Sequence, residues 1–509
     1  MTTDTLALPQ SAFRSQTLRA LLPPLAVAAV ALMLLFHAEA AAALATWIDS
    51  TAYNHCFFVL PIALWLAWER RATAAGLAAR PTAWPALAVL PLGLAWFAAE
   101  RLGIMEGRQL AAIFMLQALL VALLGWRLAR VYAAPIAYLV FLVPFGAFLT
   151  HPLQIFTARF VDIGLAVIGI PHVVTEFLIE IPEGRFFVAE ACAGLRFLIA
   201  AVAFGALYVL LLYRSPLRRI VFMAACLTVP VIANGFRALG IVVLGHVLGS
   251  AQAAEADHII YGWGFFSAVI LLLTVAGLPF RQDRAPPTPA QQPVPAAAPA
   301  WTRAVGVAVA VTLVAAIAPS SAAVLARSGH LAPPRLPGFA TPAGCQRQTP
   351  ATAPVQTFTC GAFRVTAGRT VISSHAGGGA IKRMLRIGSE EQGDEQTVHS
   401  TLAVPGQAAR AWELTATKHP PRLVATLLLN HGTPVSFDGL ANRVATAWSN
   451  LTRPATPLVL TTVSVEPTAA EMAPDRPRQA AERMQAARRE LAAFLAAQPA
   501  GNESGTGKN

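Results

Sequence analysis

A cysteine and an arginine stand at the start of a long apolar run. In "VAEACAGLRFLIA", residues 188–200, Cys192 follows a polar, strand-like segment and Arg196 comes four residues later. If a helix begins near Glu190, both side chains lie on one face of its first turns, where the helix N-terminus and a cation favour a thiolate. The spacing is therefore typical of a nucleophilic thiol. The alternative is a small packing cysteine, with Arg196 at the lipid headgroups.

A second arginine lies inside a segment that is otherwise apolar enough to span a membrane. In "ANGFRALGIVVLGH", residues 233–246, Asn234 and Arg237 are one helical turn apart. A charge within a span costs about 2.5 kcal/mol or more and by default marks a functional site. Apolar residues flank Arg237 on both sides, so reaching the headgroups, which is the alternative, is difficult.

A histidine precedes the next apolar run. His258 lies in "ADHIIYGWGFF", residues 256–266. Histidine is the usual partner of an activated thiol, and the alternative is an interfacial histidine beside the aromatic belt of Tyr261 and Trp263. Together with Cys192 and Arg237, it predicts a nucleophile, a base or acid, and an oxyanion or carboxylate binder.

The composition places these residues in a membrane protein. Of 509 residues, 56% are hydrophobic and 13% are charged, whereas soluble domains carry about a quarter charged residues. The net charge is +12, but the basic residues lie mostly in short loops rather than on one binding face, which argues against nucleic acid as a partner.

Nine segments are apolar enough to be candidate spans, given that a spanning helix needs about 20 largely apolar residues. They are 21–37, 55–69, 84–99, 109–126, 131–149, 193–212, 219–249, 259–279 and 302–326. Segment 151–170 carries Arg159 and Asp162, and we interpret it as interfacial or re-entrant. The first segment is expected to be retained, because no clear cleavage site follows it.

Arginines set the predicted orientation. If the nine spans alternate, the arginines next to their ends fall on one side, which the positive-inside rule makes cytoplasmic: Arg14, Arg19, Arg70, Arg71, Arg127, Arg130, Arg214, Arg218, Arg219, Arg281 and Arg284. Cys192 then lies at the outer face, and the ninth span carries the rest of the chain outward.

The C-terminal part has a different character. A Pro/Ala-rich linker, 281–301, precedes the additional span 302–326. Region 328–509 is predicted to be a small soluble α+β domain. Its strands are expected in "TFTCGAFRVTAGRTVISSH", "RMLRIGS" and "LVLTTVSV", and its helices in "PGQAARAWELTAT", "GLANRVATAWSNL" and a tail, 475–497, that starts near Asp475 or Pro477.

The five cysteines divide into two groups. Cys56 and Cys226 lie in apolar sequence and are expected to be packing residues. Cys345 and Cys360 lie in polar sequence, and in an oxidising compartment they are predicted to form a disulfide, the alternative being two free thiols. No spacing matches a zinc site, and no metal or cofactor is expected.

The three motifs, in this order on successive spans, resemble those of the exosortases, which are multi-spanning bacterial membrane enzymes related to the archaeosortases. "TAYNHCFFVLPIALWLAWERR", residues 51–71, resembles the family's first signature, with Cys56 where the usual pattern has Gly. "FLVPFGAFLTHPLQIFTARF" resembles its central Pro-containing segment. The resemblance covers residues 20–280 and implies a polytopic α-helical catalytic domain of about eight spans.

The resemblance implies a cysteine transpeptidase that cuts and re-anchors exported proteins. Such substrates end in a Pro-Glu-Pro-type motif, one spanning helix and a basic end, the PEP-CTERM sorting tail. The family's catalytic cysteine, arginine and histidine correspond to Cys192, Arg237 and His258. Arg196 and Asn234 are predicted to bind substrate, Arg196 through a carboxylate such as the motif's Glu. The family implies the bacterial inner membrane, with site and C-terminal domain in the periplasm.

Two alternatives remain open at this point. A plain membrane thiol protease would use water instead of an amine as acceptor. A non-enzymatic scaffold for exopolysaccharide assembly or export would use the C-terminal domain as its working part. The expected partners are sorting tails, membrane lipids and proteins of an exopolysaccharide or biofilm system, and the C-terminal domain is interpreted as a periplasmic accessory domain.

Overall fold

The structure is a computed structural model that describes residues 10–74, 77–175, 177–249, 262–283, 301–328, 338–373, 398–402, 404, 412–418, 421–430, 433–434, 457–468 and 477–498. The chain divides into two compact units. One is mainly helical and ends at Pro319; the other contains Ser320–Asn509 and the short segment Phe97–Met105.

Apolar runs form the helices. In chain order they are α1 (Gln10–Leu35), α2 (His37–Asp49), α3 (Cys56–Glu69), α4 (Pro85–Arg101), α5 (Met105–Leu124), α6 (Trp126–Val131), α7 (Ala133–Tyr138), α8 (Thr150–Ile168), α9 (Leu195–Leu212), α10 (Pro216–Leu248), α11 (Gly262–Gly277) and α12 (Trp301–Ser328). Large apolar side chains such as Leu94 and Val167 are exposed along them, as expected of helices that face lipid.

The described helices include four that are long and apolar enough to cross a membrane: α5, α9, α10 and α12. Two bent pairs, Leu21–Leu35 with His37–Asp49 and Ala133–Leu142 with Ala147–Ile168, raise the number to six if each pair is one span. The multi-pass helical architecture is therefore confirmed with four to six candidate spans, and the count of nine stays a prediction. The second pair bends by 61°, the geometry of a broken span or a re-entrant loop, so α8 also fits the interfacial or re-entrant interpretation of 151–170.

Helix α10 places the polar residues of the second motif on its buried face. Phe222, Cys226, Pro230, Asn234 and Arg237 are buried at helical spacing along one stripe. Cys226 is fully buried. It therefore has the position of a packing residue, as the sequence predicts.

Glycines allow α10 to approach its neighbours closely. A Cβ at Gly235 would meet the Phe160 ring of α8 at 2.7 Å, and a Cβ at Gly205 of α9 would meet Cys226 Sγ at 2.5 Å. Small residues at helix contacts are the usual means of association in lipid, where apolar side chains gain little from leaving the solvent. These contacts hold α8, α9 and α10 together.

A small antiparallel sheet precedes the Cys192 motif. Its strands are β1 (Val173–Thr175), β2 (Leu178–Ile181) and β3 (Gly184–Phe187), in the order β1-β2-β3. The strand-like segment predicted before Cys192 is therefore present.

The second unit contains an antiparallel sheet. Its strands are β4 (Cys345–Arg347), β5 (Val355–Cys360), β6 (Phe363–Ser373), β7 (Val398–Leu402), β8 (Trp412–Lys418), β9 (Pro421–Asn430), β10 (Thr433–Pro434) and β11 (Pro457–Pro467). The order is β4-β5-β6-β11-β9-β8-β7, and β10 pairs with β9. Cys345 and Cys360 are register partners on β4 and β5 and form a disulfide, the pairing that the sequence predicts.

A C-terminal helix, α13 (Pro477–Ala496), packs on this sheet. Leu491 and Phe494 are fully buried against strand residues such as Phe358 and Val463. The predicted tail helix is confirmed and begins at Pro477.

One helix prediction in the second unit is wrong. The last six residues of "PGQAARAWELTAT" belong to strand β8 (Trp412–Lys418), and the first seven, 405–411, lie outside the described residues. Trp412 and Leu414, two residues apart, are both buried in the core. This alternation is typical of a strand, and β8 lies between β7 and β9 in the sheet. "RMLRIGS" and "GLANRVATAWSNL" lie outside the described residues.

Substituting Gly235 with Ala tests the close approach of α10 to α8. The new methyl group would meet the Phe160 ring, so we expect a loss of about 1–3 kcal/mol in the free energy of unfolding, as for other overpacked sites. Thermal unfolding of the purified full chain in detergent measures it.

Gly306→Ala in α12 is the matched control, because in the described part of the chain nothing beyond the local backbone of its own helix lies within 4 Å of the new Cβ. Alanine favours helices over glycine by about 1 kcal/mol, so this variant should be neutral or slightly more stable. A Gly235→Ala protein as stable as Gly306→Ala would contradict the packing described here.

Replacing both Cys345 and Cys360 with Ser tests the disulfide. The bridge closes a loop with a sequence separation of 15, for which the chain-entropy model gives about 3 kcal/mol. The double variant should lose about that much unfolding free energy in the second unit, measured by limited proteolysis in increasing urea. A reductant should shift the parent chain equally and leave the double variant unchanged; a parent chain insensitive to reductant would count against the bridge.

Candidate functional site

Cys192 lies in a short 3₁₀ turn, Glu190–Ala193, between β3 and α9. Its backbone N–H donates to Ala189 O at 2.9 Å, and Gly194 follows in the left-handed conformation with φ 83°. Helix α9 therefore begins at Leu195, not near Glu190. The prediction that Cys192 and Arg196 stack on one face of a continuous helix is wrong, because Gly194 breaks the helix between them.

Gly194 is required for a second reason. A Cβ at this position would meet Asn234 Cγ at 2.6 Å. Only glycine combines this backbone conformation with so close an approach. The turn that carries Cys192 therefore packs directly against the middle of α10.

Asn234 holds the Cys192 turn. Its side chain is 2% exposed, and Nδ2 donates to Cys192 O at 2.9 Å and to Thr157 Oγ1 of α8 at 3.3 Å. Its Oδ1 has no hydrogen-bond partner within the described part of the chain. The amide predicted to bind substrate thus donates one hydrogen bond to the backbone of Cys192 and one to a hydroxyl of α8.

A second amide supports the segment leading to the turn. Gln154 of α8 is buried, and its Nε2 donates to Val188 O at 3.1 Å. Neither Gln154 nor Thr157 is identified by the sequence analysis. A signal was available, since both are polar residues one turn apart on a helix that is otherwise mostly apolar.

Arg237 is enclosed by protein, with 3% of its surface exposed. It lies one turn after Asn234, and its Cζ is 5.8 Å from the centre of the Phe197 ring. Arg196 reaches the same ring, with Cζ at 4.8 Å. Two guanidinium groups, from the first and second motifs, therefore lie around one aromatic side chain.

Phe197 also contacts the third motif. Its ring stacks on Phe266 of α11 with a centroid distance of 4.5 Å. Phe197 is thus the point where residues of all three motifs meet, a role that the sequence analysis missed although Phe197 directly follows Arg196. His258, the predicted base or acid, lies outside the described residues.

The strands before Cys192 are fastened to the end of α10. The Glu183 carboxylate accepts a hydrogen bond from His246 Nδ1 at 2.7 Å, and this bond lowers the pKa of Glu183. The ring of Phe186 lies directly over Gly245. Helix α10 therefore contacts both the Cys192 turn and the strand that leads to it.

The remaining cysteines are either buried or bonded to each other. Cys56 and Cys226 are buried free thiols in α3 and α10. Cys345 and Cys360 lie near Glu490, a grouping of possible metal ligands, but their sulfurs are bonded to each other and leave no thiolate for a metal. Of the three cysteines outside the disulfide, Cys192 alone is partly accessible.

Comparison with known proteins agrees with the motifs. Residues 47–275 match the family model described as transmembrane exosortase. This region includes α3 to α10 and most of α11, and it ends before Ser320, where the larger segment of the second unit begins. No curated protein and no solved structure matches the chain.

Asn234→Ala tests whether Asn234 positions the Cys192 turn. Losing the donor leaves the Cys192 carbonyl without this bond, so we expect a loss of about 1–3 kcal/mol in the free energy of unfolding and faster alkylation of Cys192 by a polar maleimide. Mass spectrometry of the labelled full chain gives the rate at each cysteine.

Cys56 and Cys226 serve as internal controls, because they are 1% and 0% exposed and should stay unlabelled until the protein unfolds. An unchanged Cys192 labelling rate in Asn234→Ala would argue against the positioning role.

Proposed function

Because the chain belongs to the transmembrane exosortase family through residues 47–275, we propose that it is a membrane cysteine transpeptidase acting on C-terminal sorting tails of exported proteins. The substrates proposed are proteins with a Pro-Glu-Pro-type motif, one spanning helix and a basic end. A link to exopolysaccharide or biofilm production belongs to the same proposal.

The contact between Asn234 and the Cys192 carbonyl carries the proposal. It joins residues 42 positions apart, one from the first motif and one from the second. The predicted catalytic role of these motifs requires that they lie together in the fold. The third motif joins this contact because the ring of its Phe266 stacks on Phe197. A packing cysteine would need neither a left-handed glycine nor a buried amide to hold its turn.

In the proposed first step, His258 takes the proton of the Cys192 thiol, and Sγ attacks the carbonyl carbon beside the sorting motif. The C–S bond forms as the carbonyl π electrons move to oxygen, and Arg237 stabilises the resulting oxyanion. Collapse of this intermediate breaks the C–N bond. The departing amine of the tail takes the proton from His258, and a thioester remains on Cys192.

In the second step, an amine or water attacks the thioester and regenerates the thiol. An amine acceptor gives a new amide and so re-anchors the protein, whereas water gives a free carboxylate. The two outcomes share every residue of the first step.

Arg196 is proposed to bind the substrate carboxylate. It lies in the first turn of α9, is less buried than Arg237, and approaches the Phe197 ring at 4.8 Å. A planar guanidinium can bind a carboxylate through two parallel hydrogen bonds. Arg196 would then recognise the substrate while Arg237 acts at the reacting carbonyl.

The proposed location is the bacterial inner membrane, with the Cys192 turn and region 328–509 facing the periplasm. The Cys345–Cys360 disulfide supports this orientation for the second unit, because disulfides persist in oxidising compartments. Region 328–509 is proposed as an accessory domain of the enzyme.

Cys192→Ala and Arg237→Lys test the enzyme directly. A secreted reporter with a sorting tail is expressed beside the chain, and its processing is followed by gel shift, with mass spectrometry of the new C-terminus. Cys192→Ala should abolish processing. Arg237→Lys should reduce it by at least about 10²-fold, the typical effect of losing an oxyanion donor, because lysine lacks the planar donor pair.

Cys226→Ala and Cys56→Ala are the controls and should process at near-normal rates, since both cysteines are packing residues. His258→Gln should fail at a normal protein level. Normal processing by Cys192→Ala would refute the proposal and favour the scaffold, whose function would depend on the second unit instead.

A further inference from the structure

A groove about 610 Å³ in volume lies among α4, α5, α6 and α7, and the residue roles proposed above do not use it. Ligand sites typically have about 300–1,000 Å³. Several of its lining residues, among them Ala88, Pro91 and Ala137, are exposed at the surface of the helical unit. The groove is therefore open to the side, where a helical membrane protein meets lipid.

The walls of the groove are apolar. Helix α5 contributes one helical face, spaced three and four residues apart: Phe114, Gln117, Ala118 and Val121. Gln117 is the polar member, and its Nε2 donates to Ile136 O at 2.9 Å, so its donor is used within the wall. Small alanines on α4, α6 and α7 leave room for a narrow hydrocarbon chain.

One end of the groove has the chemistry of the membrane surface. Arg130 lines it, with Cζ 4.8 Å from the Trp126 ring, and Trp126 packs edge-on against Trp84 at 6.4 Å. Arg127 and Arg130 are both exposed. Tryptophans collect at the headgroup level of a bilayer, so this end lies where phosphates are found and the apolar length extends toward the hydrocarbon.

We infer that this groove binds an anionic phospholipid, with one acyl chain along α4 and α5 and the headgroup phosphate on Arg130. Charge complementarity selects this occupant, because the cationic end attracts an anionic headgroup and repels the basic end of a peptide tail. Arg127 adds to the same positive end. Lipid binding at this groove does not require the proposed transpeptidase activity.

Native mass spectrometry of the detergent-purified full chain tests it, with palmitoyl-oleoyl phosphatidylglycerol and the matching phosphatidylcholine as probes. One arginine near an anionic headgroup contributes about fivefold in affinity. The parent chain should bind phosphatidylglycerol at least about fivefold more tightly than phosphatidylcholine. Arg130→Gln should remove most of that preference and leave phosphatidylcholine binding unchanged.

Arg71→Gln is the matched control. Arg71 is also exposed, follows a helix and lies over a tryptophan, with Cζ 4.2 Å from the Trp68 ring, but it does not line the groove. It should retain the full preference. An equal loss in Arg71→Gln and Arg130→Gln would overturn the inference in favour of general attraction to the arginine-rich surface.

A second pair of variants tests the acyl chain. Ala88→Phe fills the groove from an exposed position on α4 and should weaken the binding of both lipids, whereas Leu87→Phe, at a 69% exposed position outside the groove, should not. Melting temperatures of both variants establish that they are folded. Unchanged lipid binding in folded Ala88→Phe would overturn the inference, as would equal binding of the two lipids by the parent chain.

Discussion

The hydrogen bond from Asn234 to the Cys192 carbonyl is the constraint on which the arrangement of the site depends. It links the turn before α9 to the centre of α10, and its donor is 2% exposed. A buried carbonyl left without a partner costs about 1–3 kcal/mol, so the turn and the helix are held at one distance. This close approach requires glycine at position 194, because any Cβ there would collide with the Asn234 amide.

Helix α10 can position three other parts of the site because its neighbours approach it at small residues. Gly235 admits Phe160 of α8, Gly205 of α9 admits Cys226, and Gly245 admits Phe186 of β3. An apolar side chain gains little free energy by leaving the lipid acyl chains for the surface of another helix. Close van der Waals packing therefore stabilises helix association in lipid, as apolar burial does in water.

The sequence predicted the structure correctly where a local pattern of residues determines it. Apolar runs identified the helices, helix-start residues placed the start of the tail helix near Asp475 or Pro477, and the polar context of Cys345 and Cys360 separated them from Cys56 and Cys226. Predictions from the sequence were wrong where contacts between distant residues determine the local structure. The start of α9 depends on the contact between Gly194 and Asn234, and Trp412–Lys418 becomes a strand because β7 and β9 lie on either side.

The proposed nucleophile Cys192 and a disulfide can coexist in this chain because the two disulfide cysteines meet through local strand pairing and Cys192 is held by a distant helix. Pairing of β4 with β5 brings the Cα atoms of Cys345 and Cys360 to 4.2 Å, a local event that needs only a short loop to close. Cys192 is fixed instead by contacts 42 residues away, on a turn held against α10. In the proposed periplasmic orientation, rapid local pairing removes the two competing thiols and leaves Cys192 reduced for chemistry, while Cys56 and Cys226 are protected by burial.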